Sequence, residues 1–518
     1  MFFSIYTLGC KLNQLESEAI ADSFRRAGFP VFSPNSRSAP DTGGRGDGLP
    51  GGSGIIVINS CTVTSMAEQK ARRMIRKLLR DYPEACLIIT GCYAQLDSAA
   101  LTKLETHPSG RLFVLPGSIK DRIMDLSAFL SGGDNSYDSD ALPVIIASWL
   151  GTQRERAALK AEVPVEASTE KPAEVSAGMP LEAPAAIPVK NAFHPNYADG
   201  TFRFKPEKFS FHSRGFIKIQ DGCDRRCAYC RVSLARGKSR SLEAGKILSE
   251  LLSMEQNLIP EAVLTGVNIC QYRALEGEQL LTLPGLLDYL LKGTSRMRLR
   301  LSSIEPEELS PAFLKAISAK RIRPHFHLSV QSGSENVLER MNRPYIPMDV
   351  ERAVKDIRSV RDDPFLACDI IVGFPGESEE EFGKTLRFCE SIGFSWIHVF
   401  PFSRRPGTAA FNFTNRVSEK EAARRAELLS CLARKGRLEY LGRWEGREVE
   451  AVVEAGRGAG ASSAAAVSEN YLKLLVSFNK GTPLRPGSLI RCRVGKTTAD
   501  LSQSNGFDAL AEYLEPIS

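Results

Sequence analysis

Three cysteines within eight residues, directly after an apolar segment typical of a β-strand, constrain the fold of this chain more than any other feature. They are Cys223, Cys227 and Cys230, and the segment before them is GFIKIQ. Thiolates at this spacing on one short loop can hold three irons of a [4Fe–4S] cluster and leave the fourth iron open. Zinc is the alternative, but it would need a fourth Cys or His close by in the sequence. The pattern therefore predicts an iron–sulfur cluster at the end of a strand.

The region from Phe216 to about Tyr440 alternates apolar strands with helices. Its strand candidates are GFIKIQ, EAVLTG, RLRLSS, HFHLSV, ACDIIVGFP and WIHVFPF. Alternation of this kind predicts a parallel sheet, and six strands in this length suit a partial (β/α) barrel better than a complete one. Because the cysteine loop follows the first of these strands, an open iron there could chelate S-adenosylmethionine and pass an electron to its sulfonium.

Three further cysteines lie far apart in the first 130 residues, which the sequence predicts to form an α/β sandwich. Cys10, Cys61 and Cys92 follow the predicted buried strands IYTL, GIIVINS and CLIITG. Because the carboxyl ends of neighbouring parallel strands share one edge, these cysteines could meet and bind a second cluster. The alternative is three independent buried thiols. The other cysteines lack ligand spacing and are expected in the core: Cys86, Cys270, Cys368, Cys389, Cys431 and Cys492.

Two regions outside these units have a different composition. Residues 132–200 are rich in Ala, Pro, Glu and Val and predict a low-complexity linker, although PVIIASWL within them could be a short packed element. From 441 to 518, the segments REVEAVVE, YLKLLVSF and SLIRCRVG predict a small β-barrel. The insert AGRGAGASSAAAV inside it predicts a disordered loop, and the Gly- and Pro-rich segment 33–54 predicts a mobile one. The expected units are therefore 1–131, 132–200, 201–440 and 441–518.

The charge is locally uneven although the net charge of the 518 residues is only +6, from 67 basic and 61 acidic side chains. Basic residues dominate 203–246 and the predicted helix 66–80, which favours a polyanion such as RNA as partner. A solvated helix face is the alternative for 66–80. Within that helix, Arg72, Arg73 and Arg76 are the candidates for RNA contact.

The sequence predicts no membrane span, because no run of eighteen apolar residues occurs. The N-terminus MFFSIYTLGCKLNQ lacks the basic start and long apolar core of a signal peptide, so a cytoplasmic location is expected. In a reducing compartment, clustered cysteines are more often metal ligands than disulfides.

The motifs GCKLNQLES, NSCTVTSMAEQKARRMIRK, GCYAQ, GCDRRCAYC, LSVQSGS and MNRPY together resemble one family. They are similar to the methylthiotransferases of the radical S-adenosylmethionine superfamily, and most similar to the tRNA threonylcarbamoyladenosine methylthiotransferases. The resemblance implies an N-terminal domain with an auxiliary [4Fe–4S] cluster, a radical core, and a C-terminal RNA-binding barrel called TRAM. Carried over by position, Cys10, Cys61 and Cys92 would ligate the auxiliary cluster, and the CxxxCxxC cysteines would ligate the radical cluster.

The resemblance also implies the cofactors, the partners and further site residues. Two [4Fe–4S] clusters and S-adenosylmethionine are expected, with tRNA as substrate and an electron donor such as flavodoxin or ferredoxin. One S-adenosylmethionine would donate a methyl group, and another would supply a radical that activates a C–H bond of adenine. The candidate residues for binding S-adenosylmethionine are Tyr229, Gly266, Asn268, Ser303, Glu305 and Gln331. For Glu305 and Gln331, loop capping is an equally good interpretation.

Three other functions remain open at this point. Related enzymes methylthiolate isopentenyladenosine in tRNA or an aspartate of a ribosomal protein, but NSCTVT and KARRMIRK favour threonylcarbamoyladenosine. A non-catalytic iron–sulfur protein that binds RNA is the third alternative, and the intact CxxxCxxC motif argues against it.

Overall fold

The computed structural model describes residues 1–32, 49–105, 110–132, 140–161, 200–209, 212–455, 462–479, 484–497 and 506–517. The N-terminal elements are β1 (Phe2–Thr7), α1 (Lys11–Arg26), β2 (Val31–Phe32), β3 (Gly54–Ser60), α2 (Ser65–Asp81), β4 (Ala85–Gly91), α3 (Cys92–Leu96), α4 (Ser98–Thr102), β5 (Leu112–Val114), α5 (Arg122–Ser131) and α6 (Ala141–Ala161). The strands form one parallel sheet in the order β2-β1-β3-β4-β5.

Helices cover both faces of this sheet, which explains why β3 and β4 are buried along their whole length and mostly apolar. On one face α1, α5 and α6 pack against the strands, and on the other α2, α3 and α4 do so. The α/β sandwich expected from the sequence is therefore confirmed.

Helix α6 lies inside the range 132–200 that was expected to be a linker. Its residues Leu142, Ile146, Trp149 and Leu150 are buried in the same apolar core as α1 and α5. The segment PVIIASWL is thus part of a packed helix, because its apolar residues recur at helical spacing. Residues 162–199 of the expected linker and residues 33–48 of the expected mobile loop lie outside the described residues.

The central region is the partial (β/α) barrel that the alternating pattern predicts. Its elements are β6 (Gly215–Lys218), β7 (Gln220–Asp221), α7 (Val232–Arg236), β8 (Arg240–Ser241), α8 (Ala244–Gln256), β9 (Glu261–Thr265), β10 (Arg273–Glu276), β11 (Gln279–Thr282), α9 (Leu283–Gly293), β12 (Arg298–Leu301), α10 (Pro311–Ile317), β13 (His325–Gln331), α11 (Glu335–Arg340), α12 (Pro347–Val360), β14 (Phe365–Val372), α13 (Glu379–Ile392), β15 (Trp396–Pro401) and α14 (Glu419–Trp444).

Six parallel strands form the wall of this barrel in two hydrogen-bonded groups, β6-β9-β12 and β13-β14-β15. A bridge between Ile304 and Leu328 joins the groups. Leu15 of α1 packs against Phe216 and Val263 on β6 and β9, so the N-terminal domain touches the barrel strands directly. All six strands named from the sequence are present.

The C-terminal elements are β16 (Glu448–Val453), β17 (Ser463–Ser468), β18 (Lys473–Ser477), β19 (Leu489–Thr497) and β20 (Ala509–Pro516). They close into a barrel in the order β16-β17-β18-β20-β19, which confirms the small β-barrel expected from the sequence. The expectation of a disordered loop was wrong for residues 463–467, which belong to β17. This Ala-rich segment is a strand because small side chains such as Ala464 and Ala466 fit the narrow barrel interior. Residues 456–461 of that insert lie outside the described residues.

The cysteines without ligand spacing divide into two groups. The structure buries Cys86, Cys270, Cys368, Cys389 and Cys492, as expected. Cys431 is exposed on α14, which contradicts its expected place in the core. Its position on the helix faces solvent beside Glu427, and its Sγ lies 3.4 Å from Glu427 Oε1. In the part of the chain that the structure describes, no helix is long and apolar enough to cross a membrane.

Candidate functional site

The loop that follows β7 carries Cys223, Cys227 and Cys230 and closes tightly on the chain that comes after it. Gly222, just before the first cysteine, has a φ of +75°, and a Cβ there would lie 1.9 Å from the carbonyl oxygen of Lys238. Only glycine fits this conformation at so close an approach. The cysteine loop therefore begins at a position fixed by the backbone.

Hydrogen-bond donors point at the sulfur atoms of this loop. The backbone N–H of Val232 donates to Cys230 Sγ at 3.4 Å, and Arg343 Nη1 donates to Cys227 Sγ at 3.2 Å. Burial raises the pKa of Cys230 to about 12 and also raises the pKa of Cys223. Such thiols ionise when they coordinate a metal, and hydrogen bonds to sulfur tune iron–sulfur clusters. The donor set therefore fits an iron–sulfur cluster.

The zinc alternative gains no support from the geometry. Among the described residues, no group of three or more His, Cys, Asp or Glu side chains is placed to hold a single metal ion.

Arg343 links the cysteine loop to the ends of two barrel strands. It forms an ion pair with Glu305 Oε2, and Glu305 Oε1 accepts a hydrogen bond from Asn268 Nδ2 at 3.3 Å. Burial raises the pKa of Glu305 to about 7, although the charge of Arg343 acts in the opposite direction. The N–H of Asn268 in turn donates to Gln220 Oε1 at 2.9 Å. Asn268 and Glu305 are thus brought to the cysteine loop through one chain of contacts.

The other residues proposed to contact S-adenosylmethionine lie in different environments. A Cβ on Gly266 would lie 2.8 Å from a glutamine side chain, so the backbone there is closely approached. Gln331 ends β13 with a φ of +67° and is 8% exposed. Tyr229 is partly buried in a small apolar cluster beside the cysteine loop. Ser303 follows β12, and its Oγ is 2.7 Å from Nδ1 of His327 on β13.

Cys10, Cys61 and Cys92 lie at the carboxyl ends of β1, β3 and β4, which are adjacent strands of the N-terminal sheet. Gly9 has a φ of +128°, and a Cβ there would lie 2.7 Å from Cys61 Cβ. Burial raises the pKa of Cys61 to about 12, and the charges of Cys92 and Cys10 act in the same direction. The N–H of Val63 donates to Cys61 Sγ at 3.5 Å. The sheet therefore brings the three distant cysteines together at one edge.

A buried ion-pair cluster, here called the Glu68 clamp, joins the two cysteine sites. It consists of Thr62 and Glu68, which follow Cys61, together with Arg231, which follows Cys230, and Arg405. Arg231 Nη1 lies 3.3 Å from both Glu68 Oε1 and Thr62 Oγ1. Arg405 pairs with the same carboxylate and donates to Thr62 Oγ1 at 2.9 Å. The clamp fixes the N-terminal edge against the loop of the barrel.

A second buried network lies on the other side of the same junction. Arg236 Nη1 is 3.2 Å from Glu16 Oε1 and 3.0 Å from Asp221 Oδ2, and Lys218 Nζ contacts the same two carboxylates at 3.0 and 2.9 Å. Lys120 Nζ is 2.5 Å from Glu16 Oε2. Burial alone would raise the pKa of Asp221, but Arg236 and Lys218 outweigh it and lower the pKa to about 2. Three cations against two carboxylates leave positive charge at this junction.

That surplus charge acts on the N-terminal cysteines. Burial raises the pKa of Cys10, and the charge of Arg236 acts in the opposite direction, as it also does for Cys61. Positive charge next to a cysteine favours the thiolate, which is the form that binds metals. The network therefore suits a metal centre at this edge.

The basic run 203–246 is not a continuous basic surface, contrary to what its charge suggests in the sequence. Lys218, Arg231 and Arg236 are buried in the contacts described above. Arg203 pairs with Asp125, and Arg214 pairs with Glu454. Apart from Asp221, the acidic partners of these residues come from distant parts of the chain, so the local charge excess did not reveal them. In contrast, Arg73 and Arg76 of α2 are exposed, and Arg72 donates to Tyr93 Oη at 2.6 Å.

The sequence interpretation missed the residues that join the two sites. Arg231 and Arg236 flank the CxxxCxxC motif, and Arg343 lies in MNRPY, so their positions beside motifs were the available signal. Glu16 and Glu68 lie within the motifs GCKLNQLES and NSCTVTSMAEQKARRMIRK, but each is on a helix several residues from the cysteine, so the sequence does not show which cation it pairs with.

Comparisons with known proteins agree with this geometry. The Radical SAM superfamily matches residues 217–389, and the Uncharacterized protein family UPF0004 matches residues 47–110. The chain is 41% identical to a threonylcarbamoyladenosine tRNA methylthiotransferase MtaB of Treponema pallidum, over 95% of this chain and 97% of that protein. It is 32% identical to the protein of that name from Thermotoga maritima, over 87% of this chain and 86% of that protein. A tRNA-2-methylthio-N(6)-dimethylallyladenosine synthase of Anaplasma phagocytophilum is 26% identical to the chain, over 87% of this chain and 86% of that protein.

Membership of the radical SAM superfamily implies S-adenosylmethionine and a [4Fe–4S] cluster as cofactors. The similarity extends over 97% of the Treponema protein and 86% of the Thermotoga protein. The chain therefore belongs to the threonylcarbamoyladenosine tRNA methylthiotransferase family of radical SAM enzymes.

Proposed function

We propose that this enzyme methylthiolates carbon 2 of threonylcarbamoyladenosine next to the anticodon of tRNA, with two [4Fe–4S] clusters and S-adenosylmethionine. The observation that carries the proposal is the junction at which two sets of three cysteines are joined by the Glu68 clamp. Sulfur insertion and radical formation are different reactions, and the groups that carry them out must both lie close to the same adenine. A junction that holds two metal sites side by side meets this requirement.

The first cluster is assigned to Cys223, Cys227 and Cys230. When bound, the cluster and S-adenosylmethionine supply the radical that attacks an aromatic C–H bond, which no acid or base side chain can deprotonate. The protein contributes N–H donors to the sulfur atoms from Val232 and Arg343.

The second cluster is assigned to Cys10, Cys61 and Cys92. Support comes from their place on adjacent strand ends and from the buried positive charge of Arg236 and its neighbours. Three thiolates at one edge leave one iron of a [4Fe–4S] cluster without a protein ligand. Such an iron is a site at which sulfur can be held for transfer.

Two of the residues proposed to position S-adenosylmethionine are linked to the cysteine loop through Arg343. Glu305 and Asn268 are held by Arg343 and Gln220, so their polar atoms are fixed before the cofactor binds. We assign to them, with Tyr229, Gly266 and Gln331, the orientation of the cofactor, whereas Ser303 is held by His327 on the barrel strands. Preorganised groups of this kind lower the cost of alignment.

Residues 441–518 and the exposed face of α2 are proposed to bind tRNA. Arg73 and Arg76 are exposed on that helix, which begins four residues after Cys61. A flavodoxin or ferredoxin is the proposed electron donor, because the cluster must be reduced from outside. A tRNA substrate is consistent with the cytoplasmic location that the sequence predicts.

The proposed units are 1–131 for the auxiliary cluster, 201–440 for radical formation and 441–518 for RNA. Helix α6 belongs by its packing to the first of these units, so 132–200 is a linker only beyond that helix. The alternatives with isopentenyladenosine or a ribosomal aspartate are not favoured, because the relatives at 41% and 32% identity are named for threonylcarbamoyladenosine in tRNA and the relative named for dimethylallyladenosine is 26% identical.

The experiment is expression of this chain in a bacterial strain that lacks its own threonylcarbamoyladenosine methylthiotransferase. Mass spectrometry of total tRNA nucleosides should then show the methylthio form of threonylcarbamoyladenosine. A chain with Cys227→Ser is the control and should not restore it. Appearance of methylthio-isopentenyladenosine instead, in a strain that also lacks the enzyme for that nucleoside, would contradict the assignment.

A further inference from the structure

A group of polar side chains lies on the barrel strands outside both cysteine sites. We call Ser303, His327, Asp369 and His398 the lumen cluster. His327 Nδ1 is 2.7 Å from Ser303 Oγ, and His327 Nε2 is 3.1 Å from Asp369 Oδ1. The rings of His327 and His398 are 5.3 Å apart and roughly perpendicular. Asp369 and His398 are direct partners in the register of β14 and β15.

The alternation of side chains places this cluster on the inner face of the barrel. Leu328, Cys368 and Ile397 are the strand neighbours of its members, and all three are buried in the core formed with the outer helices. Successive side chains of a strand point to opposite faces, so His327 and its partners face the inside. The side chain of His327 is 15% exposed and that of Asp369 is 27% exposed. A ligand inside the barrel can therefore reach the cluster.

The hydrogen bonds determine which atoms remain for a ligand. In the tautomer that satisfies both contacts, His327 donates from Nε2 to the carboxylate of Asp369 and accepts at Nδ1 from the hydroxyl of Ser303. Trp396 Nε1 donates to His398 Nδ1 at 3.2 Å, which leaves the Nε2–H of His398 as a donor. The cluster thus offers acceptors at Ser303 and Asp369 and a donor at His398.

Lys11 adds a positive charge to the same space. Lys11 is the first residue of α1 and lies one helical turn before Leu15, which packs against Phe216 and Val263 on β6 and β9. Within the described residues, Lys11 Nζ forms no hydrogen bond or ion pair. Its ammonium group is therefore available to an anion inside the barrel.

We propose that the lumen cluster and Lys11 bind the threonylcarbamoyl group of the substrate nucleoside. The carboxylate of that group matches Lys11 and the donor of His398, and its hydroxyl and N–H groups match Ser303 and Asp369. This inference rests on the proposed function and assigns the residues that select its substrate. Ser303 then serves substrate specificity through its contact with His327.

The same cluster disfavours a dimethylallyl group at this place. That group is apolar, so it would remove water from the carboxylate and the imidazoles without replacing their hydrogen bonds. Sites built to hydrogen-bond a substrate reject an analogue that lacks the polar groups by about 10⁴-fold or more in favourable cases. The lumen cluster thus gives the enzyme selectivity for threonylcarbamoyladenosine over dimethylallyladenosine.

The test measures binding of anticodon stem–loop RNAs to the reconstituted full-length enzyme without turnover. Three RNAs differ only in the nucleoside beside the anticodon: threonylcarbamoyladenosine, dimethylallyladenosine or adenosine. We expect wild-type enzyme to prefer the first, and His327→Phe to reduce that preference by about 10- to 100-fold, as expected for one lost partner in a buried polar site. Asp369→Asn and Ser303→Ala should reduce it less. The matched control is His212→Phe, because His212 contacts Glu18 outside the barrel strands.

The outcomes separate this inference from the proposed function. An unchanged preference in Ser303→Ala and Asp369→Asn, with folding verified by thermal melting, would overturn the inference even if His327→Phe fails to fold. A wild-type enzyme that methylthiolates the first RNA but binds all three equally would also overturn it. Methylthiolation of only the dimethylallyl RNA by wild-type enzyme would overturn the proposed function itself.

Discussion

The two cysteine sites differ in how the chain builds them. Cys223, Cys227 and Cys230 lie on one loop, so their approach depends on local backbone geometry. Cys10, Cys61 and Cys92 meet only because β1, β3 and β4 are neighbours in a parallel sheet. The first site can therefore be recognised from spacing, whereas the second depends on the fold. The difference also predicts that the two sites respond differently to the same substitution.

The largest effect is expected from Cys227→Ser. This change removes a ligand from the site on which radical formation depends, so formation of 5′-deoxyadenosine from S-adenosylmethionine should fall to background. Chromatography of anaerobic reactions with dithionite as reductant measures this product. Substantial formation of 5′-deoxyadenosine by this variant would contradict the assignment of the radical cluster to the cysteine loop.

Cys92→Ser should separate the two sites. Because Cys92 follows β4 in the N-terminal domain and is not on the loop of the CxxxCxxC motif, we expect cleavage of S-adenosylmethionine to continue while the methylthiolated nucleoside disappears. Mass spectrometry of the reacted RNA and the 5′-deoxyadenosine assay are run on the same sample. Retention of the methylthio product would mean that the second site is assigned incorrectly.

Glu68→Gln tests whether the two cysteine sites must be held together, because it weakens the ion pairs that join them. The change leaves Arg231 and Arg405 buried without their shared carboxylate, and breaking a buried ion pair costs about 3–5 kcal/mol. We expect the amount of methylthio product per 5′-deoxyadenosine to fall by about 10-fold, which corresponds to roughly 1.4 kcal/mol of lost alignment.

The matched control for this variant is Asp508→Asn. It breaks the buried pair of Asp508 with Arg437 near the C-terminal barrel, away from both cysteine sites. At saturating tRNA, this control should lower the melting temperature in the same way but leave the product ratio unchanged. Equal ratios in Glu68→Gln and Asp508→Asn would show that the clamp does not position the sites.

The smallest effect is expected from Arg73→Glu on the exposed face of α2. If this face contacts RNA, reversal of one charge should weaken tRNA binding about 3- to 10-fold and reduce its dependence on salt by about one counterion. Lys355→Glu is the control, since Lys355 is exposed on α12 of the barrel. Titrations at several salt concentrations distinguish the two variants. If the affinity of both variants for tRNA depended on salt with the same slope, α2 would not be part of the RNA-binding surface.

Much of the fold follows from the sequence because its signals are local. The six barrel strands are short apolar runs between helices, and each appears where the pattern predicts it. Strand β17 was missed because a run of alanines carries almost no hydrophobic contrast, and only the narrow barrel makes alanine the right size. Helix α6 was only half recognised, since its apolar residues stand at the start of a segment with linker composition.

The electrostatics of the site could not be predicted in the same way. Arg231 and Arg236 read as surface charge, because their partners Glu68 and Glu16 lie far away in the sequence. The lumen cluster was hidden for the same reason, since Ser303, His327 and Asp369 come from three different strands or strand ends. The role of a charged residue or a histidine depends on its contact partner, and the partner is known only once the fold is known.

The central claim is that both cysteine sites hold a cluster, and iron analysis tests it most directly. After anaerobic reconstitution, wild-type enzyme should contain about eight irons per chain, as two [4Fe–4S] clusters require. The variant with Cys10→Ser, Cys61→Ser and Cys92→Ser should contain about four irons and keep the electron paramagnetic resonance signal that S-adenosylmethionine perturbs. Equal iron contents of about four in both proteins would contradict the account.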